Sequence, residues 1–299
     1  MKRVLLLGAN GQVGQALTAE PLPADWHLGV YGRAECDITD HRTTQQALRD
    51  FKPDLIINAA AMTNVDACER ETKTATAVNF DAAANLAAQC AAMDVPLIQL
   101  STDYVFDGKD GAVPYKPDDQ MNPLSVYADT KMMGEMAVRH ELAWHVIVRV
   151  SSIFSAFGVN LLTRMLAALS EKEELKIVND QTSCPTYAPD LAKALITMTE
   201  AILRGKHGGF GTFHYCGSPA VTRFDFVQAI MESYAPHTAK RPRILPALTS
   251  DFPGFAERPA YSVLDCSKTH EIYGIEQKPW REGLAEAIQT LHQQGKLPT

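Results

Sequence analysis

The chain has 299 residues, 46% of them hydrophobic and 21% charged, which suits one or two globular domains with a well-buried core and excludes a disordered or repetitive chain. Its 28 basic and 35 acidic side chains leave a net charge of −7, so neither nucleic acid nor an anionic membrane is expected as a partner, and any phosphate must be met by a local site. The apolar start Val4-Leu5-Leu6-Leu7 is too short for a signal peptide or a membrane span. Cys36, Cys68, Cys90, Cys184, Cys216 and Cys266 are scattered, with no C-x-x-C pair and no His cluster. Reduced thiols in a cytoplasmic protein are therefore expected, with neither a disulfide nor a bound metal.

Residues 4–7 read as a buried strand that runs straight into glycine, and residues 12–19 as the helix after it. A second strand at 28–31, a helix at 43–51 and a third strand at 55–58 follow, the last entered through the turn Lys52-Pro53-Asp54. Residues 74–93 are Ala-rich with helical periodicity, 95–100 read as a strand, 125–140 as a helix and 145–149 as a further strand. This βαβαβαβαβ alternation predicts an α/β fold with a doubly wound parallel sheet, a Rossmann domain over residues 1–150. After Ser151 the pattern loosens into a smaller mixed α/β substrate-binding region, 151–299, which can exchange segments with the first. There, 161–170, 189–203, 223–233 and 281–294 read as helices and 175–178 and 212–215 as short strands. Residues 241–259 show no periodicity and read as a long loop facing the substrate.

Gly8-Ala9-Asn10-Gly11-Gln12-Val13-Gly14 joins the first strand to the first helix, where a glycine loop brings backbone N–H groups against a pyrophosphate. Gly8 permits the tight turn, Gly11 the close approach and Gly14 the packing of helix on sheet. The second strand ends Val30-Tyr31-Gly32-Arg33 with no acid at its tip, and Arg33 would meet a 2′-phosphate, so NADPH is favoured with NADH also possible. Asp37 and Ile38 would flank the adenine, or Asp37 would serve as a turn or capping residue. Ala59, Ala60, Ala61, Met62 and Thr63, at the end of the third strand, offer a flat small-residue surface for the cofactor.

Tyr127 and Lys131 are four residues apart in a helical stretch, hence on one face. A phenol ionises near pH ~10, and a nearby ammonium is expected to pull it toward neutrality, making the pair a proton donor to a carbonyl oxygen. Thr102, in Ser101-Thr102-Asp103-Tyr104-Val105-Phe106-Asp107-Gly108 at another strand end, would hold the reacting oxygen.

With the phrases NAAAMTNVDACE, STDYVFDG and NDQTSCPTY and the late segment RPAYSVL, the chain resembles the extended short-chain dehydrogenase/reductase superfamily, and within it the dTDP-4-dehydrorhamnose reductase family. That resemblance implies hydride transfer from NAD(P)H to C4 of a dTDP-4-keto-6-deoxy sugar. Tyr127 would be the proton donor, Lys131 its partner and Thr102 a residue tuning both. It places Gly11, Gln12, Val13, Asp37, Ile38, Ala61, Met62 and Thr63 against the cofactor, and Thr102 and Asp103 against the sugar. Ser152 stands where the family has a tryptophan packed on the sugar, and Ala16 where members with a magnesium-linked dimer carry an acid, so a homodimer is possible but that metal site is not expected. Two alternatives stay open: a reductase or epimerase of another nucleotide sugar, and a non-catalytic regulatory subunit of the methionine adenosyltransferase type.

Overall fold

The structure is a computed structural model that describes residues 1–109, 113–205, 208–254 and 256–298. The first half runs β1 (Lys2–Leu7), α1 (Gln12–Ala19), β2 (Trp26–Tyr31), α2 (His41–Phe51), β3 (Leu55–Asn58), α3 (Val65–Arg70) and α4 (Thr72–Thr76). A π-turn at Ala77–Asp81 carries α4 into α5 (Ala82–Met93), followed by β4 (Leu97–Thr102), α6 (Val126–Glu141) and β5 (His145–Val150). The second half runs β6 (Ile153–Phe154), α7 (Leu161–Glu171), β7 (Glu174–Val178), β8 (Thr182–Ser183), β9 (Thr186–Tyr187), α8 (Ala188–Leu203) and β10 (Gly211–Tyr215). It finishes with β11 (Val221–Thr222), α9 (Arg223–Tyr234), β12 (Arg243–Ala247), α10 (Ser267–Tyr273) and α11 (Trp280–Gln293).

Six parallel strands form the central sheet in the order β10-β5-β4-β3-β1-β2. Its inner strands are buried at nearly every position because helices cover both faces. Val4 and Leu6 point into a core closed by α1 and α8, while Leu5 and Leu7 point into the one closed by α2, α5 and α6. The strand order reverses at β1, with β2 on one side and β3 on the other, and this opens a crevice at the carboxyl ends of the strands. The sixth strand and α8 come from the second half of the sequence, so the chain leaves the sheet after β5 and returns to complete it. A separate core around Phe154, Leu166, Phe226 and Trp280 joins α7, α9 and α11.

The expected loop at 241–259 is only partly a loop. Its first residues form β12, which pairs in parallel with β7 in register Arg243↔Glu174 to Ala247↔Val178. Pro246 hides this strand from pattern reading, and an edge position is where a strand tolerates a proline. Phe255 of that stretch lies outside the described residues. Among the described residues no helix is long and apolar enough to cross a membrane.

Candidate active site

The glycine loop is shaped by backbone crowding. Gly8 has φ +82°, and a Cβ there would come 2.5 Å from the Ala60 nitrogen; one on Gly14 would come 2.5 Å from the Gly8 carbonyl oxygen. Gly11 is the residue preceding α1, whose first-turn N–H groups receive no side-chain cap and no acidic neighbour. An anion can take that place. Gln12 is committed elsewhere: its amide donates to the Ile153 carbonyl (3.4 Å) and accepts from Ser155 Oγ (3.1 Å), tying the loop to β6. Val13 is buried beneath the loop, and Asn10 lies exposed on top of it.

Two cavities meet over this loop, sharing Asn10, Gly11, Ala59 and Ala61. One, of about 430 Å³, runs to Arg33, Asp37, Ile38, Ala60 and Met62. The other, of about 250 Å³, runs to Thr63, Ser101, Tyr127 and Lys131. Together they form one groove across the strand-order reversal, with Gly8 and Gly11 lining its middle. The residues present fit a dinucleotide cofactor.

At the outer end, Arg33 projects into solvent and its Nε contacts Asp37 Oδ2 at 3.0 Å. The Asp37 carboxylate accepts from the Thr39 hydroxyl (2.7 Å) and backbone N–H (3.0 Å). Those bonds, with Arg33 adding to them, hold it below the usual carboxylate range. The turn role, one of the two expected for Asp37, is what its side chain performs, while Ile38 supplies apolar wall.

The inner wall depends on a residue that pattern reading passed over. Asn79, buried in the π-turn, accepts from the Met62 N–H (2.9 Å) and donates to the Met62 carbonyl (3.1 Å) and Thr130 Oγ1 (3.2 Å). It clamps the Ala61-Met62-Thr63 segment to α6. A Cβ at Gly134 would come 2.3 Å from the Asn79 carbonyl oxygen, so glycine on α6 admits the π-turn. The breadth of a π-turn is one feature that a helical sequence pattern does not advertise.

At the inner end, Tyr127 and Lys131 lie on one face of α6, and Glu135 and Arg139 continue the same spacing. Lys131 Nζ donates to the Leu100 carbonyl at 2.7 Å. Burial brings its ammonium down to about 8, with Glu135 partly opposing. Tyr127 is pushed up by burial, against a smaller downward pull from a hydrogen bond with Thr102. This corrects the expectation that Lys131 lowers the phenol toward neutrality: the ammonium is held by Leu100, and desolvation dominates. Tyr127 is therefore a protonated phenol at neutral pH.

Thr102 Oγ1 donates to Asp103 Oδ1 (3.1 Å) and accepts from the Tyr104 N–H (3.2 Å). Asp103 is only 2% exposed, and its Oδ2 also accepts from Ser151 Oγ (2.7 Å) and Ser262 Oγ (2.6 Å). Burial raises its carboxyl to about 6 despite those three hydroxyls. Asp103, expected to face the sugar, has its carboxylate enclosed by these hydroxyls and holds Thr102. Ser152 adopts φ +43°, and its hydroxyl is 2.9 Å from Ser183 Oγ. That hydroxyl is engaged with β8.

A further cavity of about 500 Å³ opens beside this end, lined by Lys176, Arg223, Phe252 and Arg258 among others. Asp66, three residues past Thr63, also lines it. Its carboxylate takes the Ala256 N–H (2.9 Å) and Arg258 Nη2 (2.8 Å). Two basic residues from distant elements, Lys176 and Arg223, meet here only through folding, which is why spacing along the chain gave no sign of them.

A glycine loop, a groove at the strand-order reversal and a Tyr-Lys helix define a dinucleotide-binding Rossmann protein of the extended short-chain dehydrogenase/reductase class. The family model described as the RmlD substrate binding domain matches residues 1–293, and the chain belongs to that family. A protein of Sinorhizobium fredii named dTDP-4-dehydrorhamnose reductase is 36% identical, over 98% of this chain and 99% of its own. The spore coat polysaccharide biosynthesis protein SpsK of Bacillus subtilis is 34% identical, over 97% and 98%. The crystal structure of a dTDP-4-dehydrorhamnose reductase from Clostridium acetobutylicum superimposes with a TM-score of 0.89 at 31% identity, over 97% of this chain and 99% of that one. The Bacillus anthracis enzyme of the same name, solved in complex with NADP, gives 0.87 at 32%, over 97% and 100%.

Proposed function

We propose that this chain reduces the C4 keto group of dTDP-4-dehydrorhamnose to give dTDP-L-rhamnose, using NADPH in preference to NADH. The observation that carries the reading is the convergence of Thr102, Tyr127 and Lys131 at the inner end of a groove whose middle is the glycine cradle. Bound NADPH supplies the hydride. Tyr127, a neutral phenol at physiological pH, gives its proton to the carbonyl oxygen. Thr102, whose own proton is engaged with Asp103, positions the Tyr127 hydroxyl through the hydrogen bond between them, and Lys131, anchored on the Leu100 carbonyl, holds ribose hydroxyls. Gly8 to Gly14 and Ala59 to Thr63 take the cofactor's phosphates and flat face, and Arg33 the 2′-phosphate. Residues 1–150 serve the cofactor and 151–299 the sugar nucleotide, whose diphosphate suits Lys176 and Arg223. A cytoplasmic location and a homodimer belong to the same reading; sedimentation tests the latter.

The test is a screen of dTDP- and UDP-linked keto-sugars with each reduced nicotinamide. One NADPH should be consumed per dTDP-4-dehydrorhamnose. An epimerase or dehydratase would recycle its cofactor, and a chain inert toward every keto-sugar would overturn the reading.

Two further results follow. Turnover should fall as pH rises through about 8, because Lys131 is charged below that value and neutral above it. A pH profile checks this, and Lys131→Met should abolish the alkaline limb along with most activity. Asn79→Ala should weaken NADPH binding about tenfold, the scale of leaving buried groups on Met62 without partners. Fluorescence titration of the reduced cofactor reads it directly.

A further inference from the structure

Ser101 is 4% exposed, and its hydroxyl has no hydrogen-bond partner among the described residues. Of the buried side-chain oxygens and nitrogens described, only Gln89 Oε1 shares that condition. The neighbours of Ser101 on β4 are engaged. Gln99 accepts from Asn58 Nδ2 (2.8 Å) and donates to the Leu100 carbonyl (3.0 Å), and Thr102 is bound to Asp103 and to the Tyr104 N–H. A buried hydroxyl left unpaired costs stability that an alanine at the same place would not. Folded proteins carry few such groups, and one that lines a ligand cavity calls for a partner from what the cavity binds.

Its position says what kind of partner. Side chains alternate along a strand, so Leu100 points into the core closed by α1 and α8 and Ser101 to the side closed by α2, α5 and α6. The last of these helices carries Tyr127 and Lys131, and both line the same cavity of about 250 Å³ as Ser101. Lys131 is itself 5% exposed, and of its ammonium's three donors one is taken by the Leu100 carbonyl at 2.7 Å. That carbonyl belongs to the residue just before Ser101. An ammonium with donors to spare and a hydroxyl that can give one hydrogen bond and accept two therefore meet at one end of the groove. Such a pair suits two neighbouring hydroxyls on a sugar ring, one accepting from the ammonium and the other exchanging a hydrogen bond with the serine.

We infer that Ser101 is a cofactor-binding residue whose hydroxyl bonds one hydroxyl of the nicotinamide-bearing ribose, beside the hydroxyl that Lys131 holds. The inference rests on the NADPH reading of the groove and adds to it a second grip on the inner ribose. With both ring oxygens held, from β4 on one side and α6 on the other, that ribose is fixed against sliding along the groove.

The test compares full-length Ser101→Ala with wild type by calorimetric titration of three probes. These are NADPH, 2′-phospho-ADP-ribose, which keeps the second ribose but lacks nicotinamide, and adenosine 2′,5′-bisphosphate, which ends before that ribose. NADPH and 2′-phospho-ADP-ribose should each bind the variant about fivefold more weakly, the net worth of one hydrogen bond, and the bisphosphate equally well. Without ligand the variant should melt no lower than wild type, because the change removes an unpaired hydroxyl. Unchanged NADPH affinity overturns the assignment. So does a loss confined to NADPH, which puts the contact on the carboxamide, and so does a loss shared by the bisphosphate with a lower melting temperature, which makes Ser101 structural. Wild-type protein that binds no NADPH overturns the reading of the groove, and the role of Ser101 with it.

Discussion

Tyr127→Phe should lower turnover by about 10²–10⁴-fold, the usual worth of a positioned proton donor, while NADPH affinity changes little. The substitution removes one hydroxyl, and it leaves the edge-on contact of that ring with Tyr104 (centroids 6.1 Å apart) in place. The groove wall therefore survives, and what is lost is the proton. Steady-state rates with the keto-sugar and a separate cofactor titration resolve the two. Unchanged turnover would remove Tyr127 from the chemistry, and a parallel loss of cofactor affinity would recast it as a binding residue.

Glu135→Ala should destabilise the protein by about 3–5 kcal/mol, the cost of stripping a buried ion pair of one partner. Glu135 is 1% exposed and Arg149 fully buried. Glu135 Oε2 receives Arg149 Nη2 and Arg139 Nη2, both at 2.8 Å, and its Oε1 receives Arg149 Nε at 2.9 Å. Arg149 also donates to the Pro117 carbonyl (3.0 Å) and lies over the Phe106 ring. Without the carboxylate the guanidinium stays in the core with no counter-charge, since neither the carbonyl nor the ring can neutralise it. The same change removes the charge that supports the Lys131 ammonium, so the alkaline limb of the pH profile should move below about 8. Urea unfolding measures the first effect and the pH profile the second. A loss under about 1 kcal/mol would mean that water or another anion replaces Glu135.

Much of this arrangement was legible in the chain itself, for physical reasons that can be named. The strands flanking the groove are short continuous apolar runs because helices cover both sheet faces, and their ends are marked by glycine, arginine or hydroxyl residues. Gly8 and Gly14 could be placed because backbone crowding at a strand-to-helix turn leaves no room for a side chain, whereas a Cβ at Gly11 would meet only the Gly8 carbonyl oxygen, at 3.3 Å. Tyr127 and Lys131 share a face through helical period alone.

What stayed hidden depends on contacts between distant segments. Asn79 gains its importance from Met62 and Thr130, seventeen and fifty-one residues away. Asp103 reads as a site residue beside Thr102, and only the arrival of Ser151 and Ser262 encloses it. β10 looks like a stray strand of the second half until it pairs with β5, and β12 is masked by Pro246. The direction of the Tyr127 shift also needed the fold. Four-residue spacing puts an ammonium near a phenol, but whether charge or burial wins depends on where Leu100 and Thr102 lie.

The most direct test of the account is isotopic. NADPH carrying deuterium at the transferable position of the nicotinamide is incubated with the protein and dTDP-4-dehydrorhamnose, and the sugar product is examined by proton NMR. dTDP-L-rhamnose with deuterium at C4 and none elsewhere is expected. Product with ordinary hydrogen at C4, or a changed sugar with the reduced cofactor unspent, would contradict it.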